Sequence, residues 1–268
     1  MGLQQLFLRR PVLTQADLRA SLASAHSRNA RTRETLLAYH VRKGHLDRVR
    51  RGLYLSVPAG ASPETCPVDP YLLAAKMTDD AVLAYHTALE AHGKAHSIFE
   101  RFYCLTSRRM RPSTFRSYHF ESVRHPLALR RKHKEGFGVM TLDRSGLTVR
   151  VTTLERSLVD VMDRPLLGGG WEEIWRSLES VEFFDLGQVV EYALLLKNAT
   201  TAAKVGYFLD QHRERLMVKE EHLQPLKQRR PKQPHYLDRG ERTTGRLVKE
   251  WNLVVPAYVA GRSWEEPS

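Results

Sequence analysis

"GHLDRVRRGLYLSVP", residues 44–58, holds two runs of alternating apolar residues, 46–49 and 53–57, on either side of Arg50-Arg51-Gly52. Alternation with a glycine between the runs predicts a β-hairpin whose turn falls at the glycine. Its arginines have two readings. Charge on an exposed strand discourages edge-to-edge pairing, and the same cations at a hairpin tip can neutralise phosphates. The surrounding sequence weighs for the second.

Leu3, Leu6 and Phe7 fit one helical stripe. Thr14 suits the N-cap of a helix over "QADLRASLA", with Leu18 and Leu22 four apart on one face. "SAHSRN" reads as a polar turn. The next helix is expected from about 29 to 43, closed by Gly44 in the position a C-cap favours. Its apolar residues Leu36, Leu37 and Val41 share one side. At about 100° per residue the opposite side gathers Arg28, Arg31, Thr35, Ala38 and Arg42, with no acid among them. Two helices followed by a hairpin is the winged helix-turn-helix order. There the second helix enters the major groove and the hairpin lies along a phosphate backbone. Arg48, Arg50 and Arg51 are therefore expected to touch phosphates while helix 29–43 reads base edges.

The charge distribution agrees. The 268-residue chain carries a net charge of +12. Residues 1–57 hold 11 Lys/Arg against 3 Asp/Glu, and residues 101–150 hold 12 against 3. Residues 58–100 and 151–215 are net acidic, each with a balance of −4. Basic blocks separated by acidic ones point to a polyanion met by particular surfaces. The apolar patch Leu6–Leu8 is too short for a signal-peptide core, and no run approaches the roughly 20 residues of a bilayer span. Cys66 and Cys104 form no CxxC pair and suit a reducing compartment. A cytoplasmic protein without membrane contact is expected.

Beyond the hairpin, the Pro-rich stretch 59–69 reads as a linker. "YLLAAKM" and "HTALEAHG" read as short helices. Strands are expected at 102–106, 117–123, 138–143 and 147–151. "VTTLERSLVDVM" opens a helix, with Thr152 and Glu155 spaced as a capping box. Further helices are expected at about 171–180, 187–197 and 200–215. The expected fold is α+β: a winged helix-turn-helix at 1–58, then a mixed domain at 70–215 with a small antiparallel sheet and several helices. Residues 216–268 read as a basic, extended tail that packs back at 251–258.

Catalytic signatures are sparse. There is no P-loop, no G-x-S-x-G and no H-E-x-x-H, and no lysine has an acid two residues before it. His86, His92 and His96 have the wrong spacing for helical metal ligands, and Gly93 interrupts them. Trp171 and Trp175, at i and i+4, read as core anchors. No catalytic residue, metal or cofactor is expected, so the chain reads as a non-enzyme. A nuclease alternative would have to use Glu155, Asp160 and Asp163, and a regulator with a protein-interaction domain is a further alternative. Arg124, Arg130, Arg131, Lys132 and Lys134 form a possible second basic surface.

Three stretches taken in order resemble the AbiEi family, the antitoxins of type IV toxin–antitoxin systems. They are "GHLDRVRRGLYLSVP", "LAYHTALEAHG" and "LTVRVTTLERSLVDVMDRP". They match a G-x-L-x-R-x-x-R-G-x-Y wing, a His- and Ala-containing helix ending in Gly, and a V-T-x-x-E-R-[ST]-L-x-D segment; "WNLVVP" is similar to a tail seen in many members. The resemblance implies a winged helix that binds inverted repeats in its own promoter as an autorepressor. It also implies a C-terminal domain that counteracts a co-encoded nucleotidyltransferase-type toxin. Its promoter-contacting residues would map onto Arg28, Arg31, Arg42, Lys43, Arg48, Arg50 and Arg51. The Arg/Lys-rich stretch 124–134 departs from the family pattern.

Overall fold

The computed structural model describes residues 6–7, 10–24, 30–238, 240, 245–262 and 264. The chain forms two compact units. The first gathers Met1–Val82, Glu100–Ser122 and Thr141–Arg150, and the second gathers Leu83–Phe99, Val123–Met140 and Val151–Ser268.

The first unit begins with β1 (Val12–Thr14), α1 (Gln15–Ser24), α2 (Ala30–Arg42), β2 (Leu46–Arg50) and β3 (Leu53–Ser56). Thr14 caps α1 reciprocally. Its hydroxyl accepts the Asp17 N–H at 3.2 Å, and the Asp17 carboxylate accepts the Thr14 N–H at 2.9 Å. α2 ends in a Schellman motif: the Gly44 N–H bonds the Val41 carbonyl and the His45 N–H bonds the His40 carbonyl, both at 3.0 Å. The motif needs a left-handed residue at Gly44, whose φ is +73°. The strands make an antiparallel sheet in the order β1-β3-β2, with Val12 opposite Leu55. β1 adds a strand to the expected hairpin; three residues are too few to show a period. Leu6, Leu13, Leu18 and Leu46 form the core of this region, with Phe7, Leu37, Val41 and Tyr54 packed against it. The apolar side assigned to α2 from its spacing is the side that turns inward.

The Pro-rich segment is tied down. Arg116 donates to the carbonyls of Pro63 and, at 2.7 Å, of Cys66, and it stands 3.6 Å from Asp47 in β2. Asp69 caps α3 (Pro70–Ala75) by accepting the N–H groups of Tyr71 and Leu72, and it also takes Arg144 Nε at 2.6 Å.

Next come β4 (Val82–Leu83), α4 (His86–Ala91), β5 (Arg101–Leu105), β6 (Ser113–Phe115), β7 (Tyr118–Val123), α5 (Leu127–Arg131), β8 (Val139–Arg144) and β9 (Leu147–Thr152). The six strands form a sheet in the order β6-β7-β5-β4-β9-β8. The four expected strands are present within a residue or two, but the sheet is not purely antiparallel. β4 pairs with β9 in parallel, Leu83 opposite Val151. A two-residue strand such as β4 carries no periodic signal.

The second unit is mainly helical: α6 (Leu154–Asp163), a 3-10 turn (Pro165–Gly168), α7 (Trp171–Glu179), α8 (Leu186–Leu195), α9 (Ala199–Gln211) and α10 (Glu220–Arg229). β10 (His235–Tyr236), β11 (Gly245–Val248), β12 (Leu253–Pro256) and α11 (Ala257–Ala260) complete it. The cap of α6 is Thr153, one residue after the expected Thr152; its hydroxyl accepts the Arg156 N–H. The tail is not wholly extended. α10 occupies its first part and buries Leu223 and Leu226, with Pro225 inside the helix. Proline marks a break in a sequence reading, which is why this helix was not expected. The return at 251–258 is a strand, β12, lying between β10 in parallel and β11 in antiparallel. Trp251 just before it is fully buried against Gly206 of α9. Among the described residues no helix is long and apolar enough to cross a membrane.

Candidate nucleic-acid interface

A groove of about 450 Å³ runs between α2 and the β2–β3 hairpin. Arg42 lines it from the last turn of α2, Arg48 from β2 and Arg51 from the hairpin tip; Tyr54 and Leu37 give it an apolar wall. All three guanidinium groups are exposed, as are Thr35 on the outer side of α2 and Lys43 just beyond its end. Among the described residues none of Arg42, Lys43, Arg48 and Arg51 has an ion pair, so their charge is presented to solvent. Arg28 lies outside the described residues. Arg31 is within α2, but its side chain lies outside them. The groove also contains an acid the helical-face reading did not include, the exposed Glu34.

Arg50 leaves this set. The β2–β3 register shifts between Arg48 and Arg50, which pair with Tyr54 and Leu53. Such a bulge interrupts the alternation of faces. The Arg50 side chain is half-buried and directed to the sulfur of Met77 at 3.7 Å.

The second basic stretch lies in the second unit. Arg124, Arg131, Lys132 and Lys134 are exposed, whereas Arg130 turns its Nε to the His125 carbonyl at 3.1 Å. The backbone after this stretch is held from below by Arg156, fully buried, which donates to the carbonyls of Glu135 (2.9 Å) and Phe137 (2.6 Å). Arg156 also pairs with Asp160 at 3.2 Å, and Asp160 accepts the Tyr192 hydroxyl at 2.6 Å. Burial pushes the Asp160 carboxyl up, and the charge of Arg156 and the Tyr192 hydrogen bond pull it back.

The three acids of the nuclease alternative are engaged separately. Asp160 is committed to Arg156 and Tyr192. Asp163 accepts Asn198 Nδ2 at 3.0 Å and the Thr201 hydroxyl at 2.5 Å, and Glu155 accepts the Asp185 N–H at 3.2 Å. The histidines are likewise separate. His86 is buried between Glu173 (3.0 Å) and Glu90 (3.4 Å), His92 Nε2 meets the Thr152 carbonyl at 2.8 Å, and His96 Nε2 lies 3.3 Å from Arg176. Among the described residues no group of three or more His, Cys, Asp or Glu could hold a metal ion. Trp171 and Trp175 are both buried, as core anchors.

Neither a family model nor a curated protein matches the chain. Among solved structures it is similar to the crystal structure of RV2827C protein from Mycobacterium tuberculosis, with a TM-score of 0.65 and 18% sequence identity over 98% of this chain and 93% of that one. The likeness is one of fold, and it extends over nearly the whole of both chains.

Proposed function

We propose that α1, α2 and the β2–β3 hairpin are a winged helix-turn-helix, and that the chain is a DNA-binding transcriptional autorepressor and antitoxin of the AbiEi kind. One observation carries the DNA-binding part: Arg42, Arg48 and Arg51, all exposed and without an ion pair among the described residues, line one groove between a helix and a hairpin. Three such cations neutralise phosphates without first breaking an internal salt bridge. The exposed Thr35 and Ala38 leave the outer face of α2 small enough to approach base edges. Support for the antitoxin part is the ordered set of motifs. Its counterpart would be a co-encoded nucleotidyltransferase-type toxin, counteracted with or without direct contact. In this reading the protein acts by binding in the cytoplasm and carries out no catalysis.

The test is a gel shift on the chain's own upstream region over a range of salt concentrations. Arg48→Ala and Arg51→Ala should each weaken binding on all sequences and lower the salt slope by about one unit. A wild-type chain that binds its upstream region no better than unrelated DNA overturns the repressor reading. Co-expression with the product of the adjacent gene tests the antitoxin part, where relief of growth arrest is the expected result.

A further inference from the structure

The basic block 101–150 divides between the two units, and most of its cations in the first unit are paired. Arg101 stands 2.8 Å from Glu121, Arg144 2.6 Å from Asp69 and Arg116 3.6 Å from Asp47. Arg109 and Arg111, in the turn from β5 to β6, differ. Both are exposed, and neither has an ion pair or a hydrogen bond among the described residues. The two acids near this turn are Asp79 and Asp80. Asp79 lies 3.9 Å from Arg108, and the Asp80 carboxylate accepts the Thr106 hydroxyl and, at 2.7 Å, the Ser107 N–H.

The backbone of the turn is held along its length. Asp80 fixes its start, the Thr106 hydroxyl accepts the Arg108 N–H at 3.0 Å, and the Met110 carbonyl accepts the Ser122 hydroxyl at 3.3 Å. The Met110 side chain is buried between the two arginines, which leaves those at 109 and 111 outside. A backbone already ordered lowers the entropy cost of binding. The turn also lies beside the hairpin. The Met77 sulfur takes Arg50 of β2 at 3.7 Å and the hydroxyl of Ser113, the first residue of β6, at 3.9 Å. Two residues span at most about 7 Å, so the Arg111 Cα falls within about 20 Å of the Arg50 guanidinium. That is less than the roughly 34 Å of one duplex turn.

We propose that Arg109 and Arg111 form a second phosphate clamp, which grips the backbone of the same duplex beyond the stretch covered by the hairpin. The inference rests on the winged-helix reading and adds to it a contact from outside residues 1–58. The partner is a nucleic-acid backbone rather than a protein. Around the two arginines the exposed residues are Ser107, Arg108 and Pro112, without the aromatic anchor on which a protein interface centres. Charge alone suffices for phosphates, which recur at one per about 1.7 Å of duplex axis.

Hydroxyl-radical footprinting and salt-dependent gel shifts of the full chain on its own upstream region test it. The double variant Arg109→Ala/Arg111→Ala should lower the salt slope by about two units. It should lose protection only at one edge of the footprint and keep the protection that Arg51→Ala removes. Arg109→Lys/Arg111→Lys keeps both charges and should retain the slope. A footprint that thins evenly in the alanine variant reports net charge alone and overturns the clamp. An unchanged slope and footprint in that variant, with a lower slope in Arg51→Ala, overturns the clamp and leaves the hairpin contact standing. A wild-type chain that does not bind its upstream region overturns both. Normal DNA binding with lost relief of growth arrest would assign the two arginines to a protein partner, and it too overturns the clamp.

Discussion

The Nδ1 atoms of His40 and His45 face one another at 3.1 Å across the end of α2. The Schellman motif dictates this closeness, because it brings the third residue from the helix end against the second residue beyond the cap, positions that usually share an apolar contact. Two imidazoles can share one proton between facing nitrogens; two protons there repel. Burial, and then the neighbouring His45, hold His40 below its ordinary value.

That shift fixes the sign of a pH dependence. The unfolded chain takes up the His40 proton near pH 6.5, and the folded chain takes it up only at lower pH. Stability from the neutral, buried His40 is therefore present above about pH 6.5 and is lost as pH falls toward its folded value. His86 has the opposite sign. Burial lowers its pKa, but the hydrogen bond to Glu173 and the Glu90 carboxylate 3.4 Å away more than offset this, and the result is raised. Its contribution is present below about pH 6.5 and is lost as pH rises through the folded value. Hydrogen-exchange protection of residues 36–46, corrected for intrinsic rates, should fall between pH 7.5 and 5.5, and fall less in His45→Gln. Protection of residues 86–99 should instead weaken above neutrality. Protection that does not change with pH in 36–46 would refute the account of the pair.

The bulge in β2 sets Arg50 apart from Arg48 in position, with its side chain directed to Met77. Arg50→Ala should leave the salt slope of DNA binding unchanged, whereas Arg51→Ala lowers it by about one unit. The cost of Arg50→Ala should be small and structural, through its contact with Met77. Salt-dependent affinities for the two single variants decide the matter; equal slope changes would return Arg50 to the interface.

The same bulge shows where sequence reading stops. Arg48, Arg50 and Arg51 are expected together at the wing, and a single slipped residue between Arg48 and Arg50 separates them; no periodicity announces a slip. The amphipathic face of α2, by contrast, was legible residue by residue, since Leu37 and Val41 turn inward and Thr35, Ala38 and Arg42 outward. The V-T-x-x-E-R-[ST]-L-x-D stretch was legible as a motif but not as a role. Arg156 and Asp160 form a buried pair that holds the backbone behind the basic stretch 124–134, and its partners lie about twenty residues upstream and thirty downstream. Arg116, which secures the Pro-rich segment, acts across fifty positions. Contacts at such separations leave no local trace in the sequence.

Gly206 has a consequence for stability. It sits inside α9, where alanine would gain about 1 kcal/mol of helix propensity. A Cβ there, however, would run into the six-membered ring of Trp251. The ring cannot swing aside cheaply: it is fully buried, its Nε1 donates to Asp210 at 3.1 Å, and Lys227 lies over its face. Overpacking of a fixed core site costs about 1–3 kcal/mol or more, so the clash outweighs the propensity gain. Gly206→Ala should lower the midpoint of thermal unfolding by roughly 2–6 °C, given about 2–4 °C per kcal/mol at this size. Pairing it with Trp251→Leu should produce less than the sum of the two single losses, because the smaller side chain removes the obstacle. A midpoint that rises in Gly206→Ala would mean that the indole yields to the added methyl, and that α9 does not depend on close approach to hold β12.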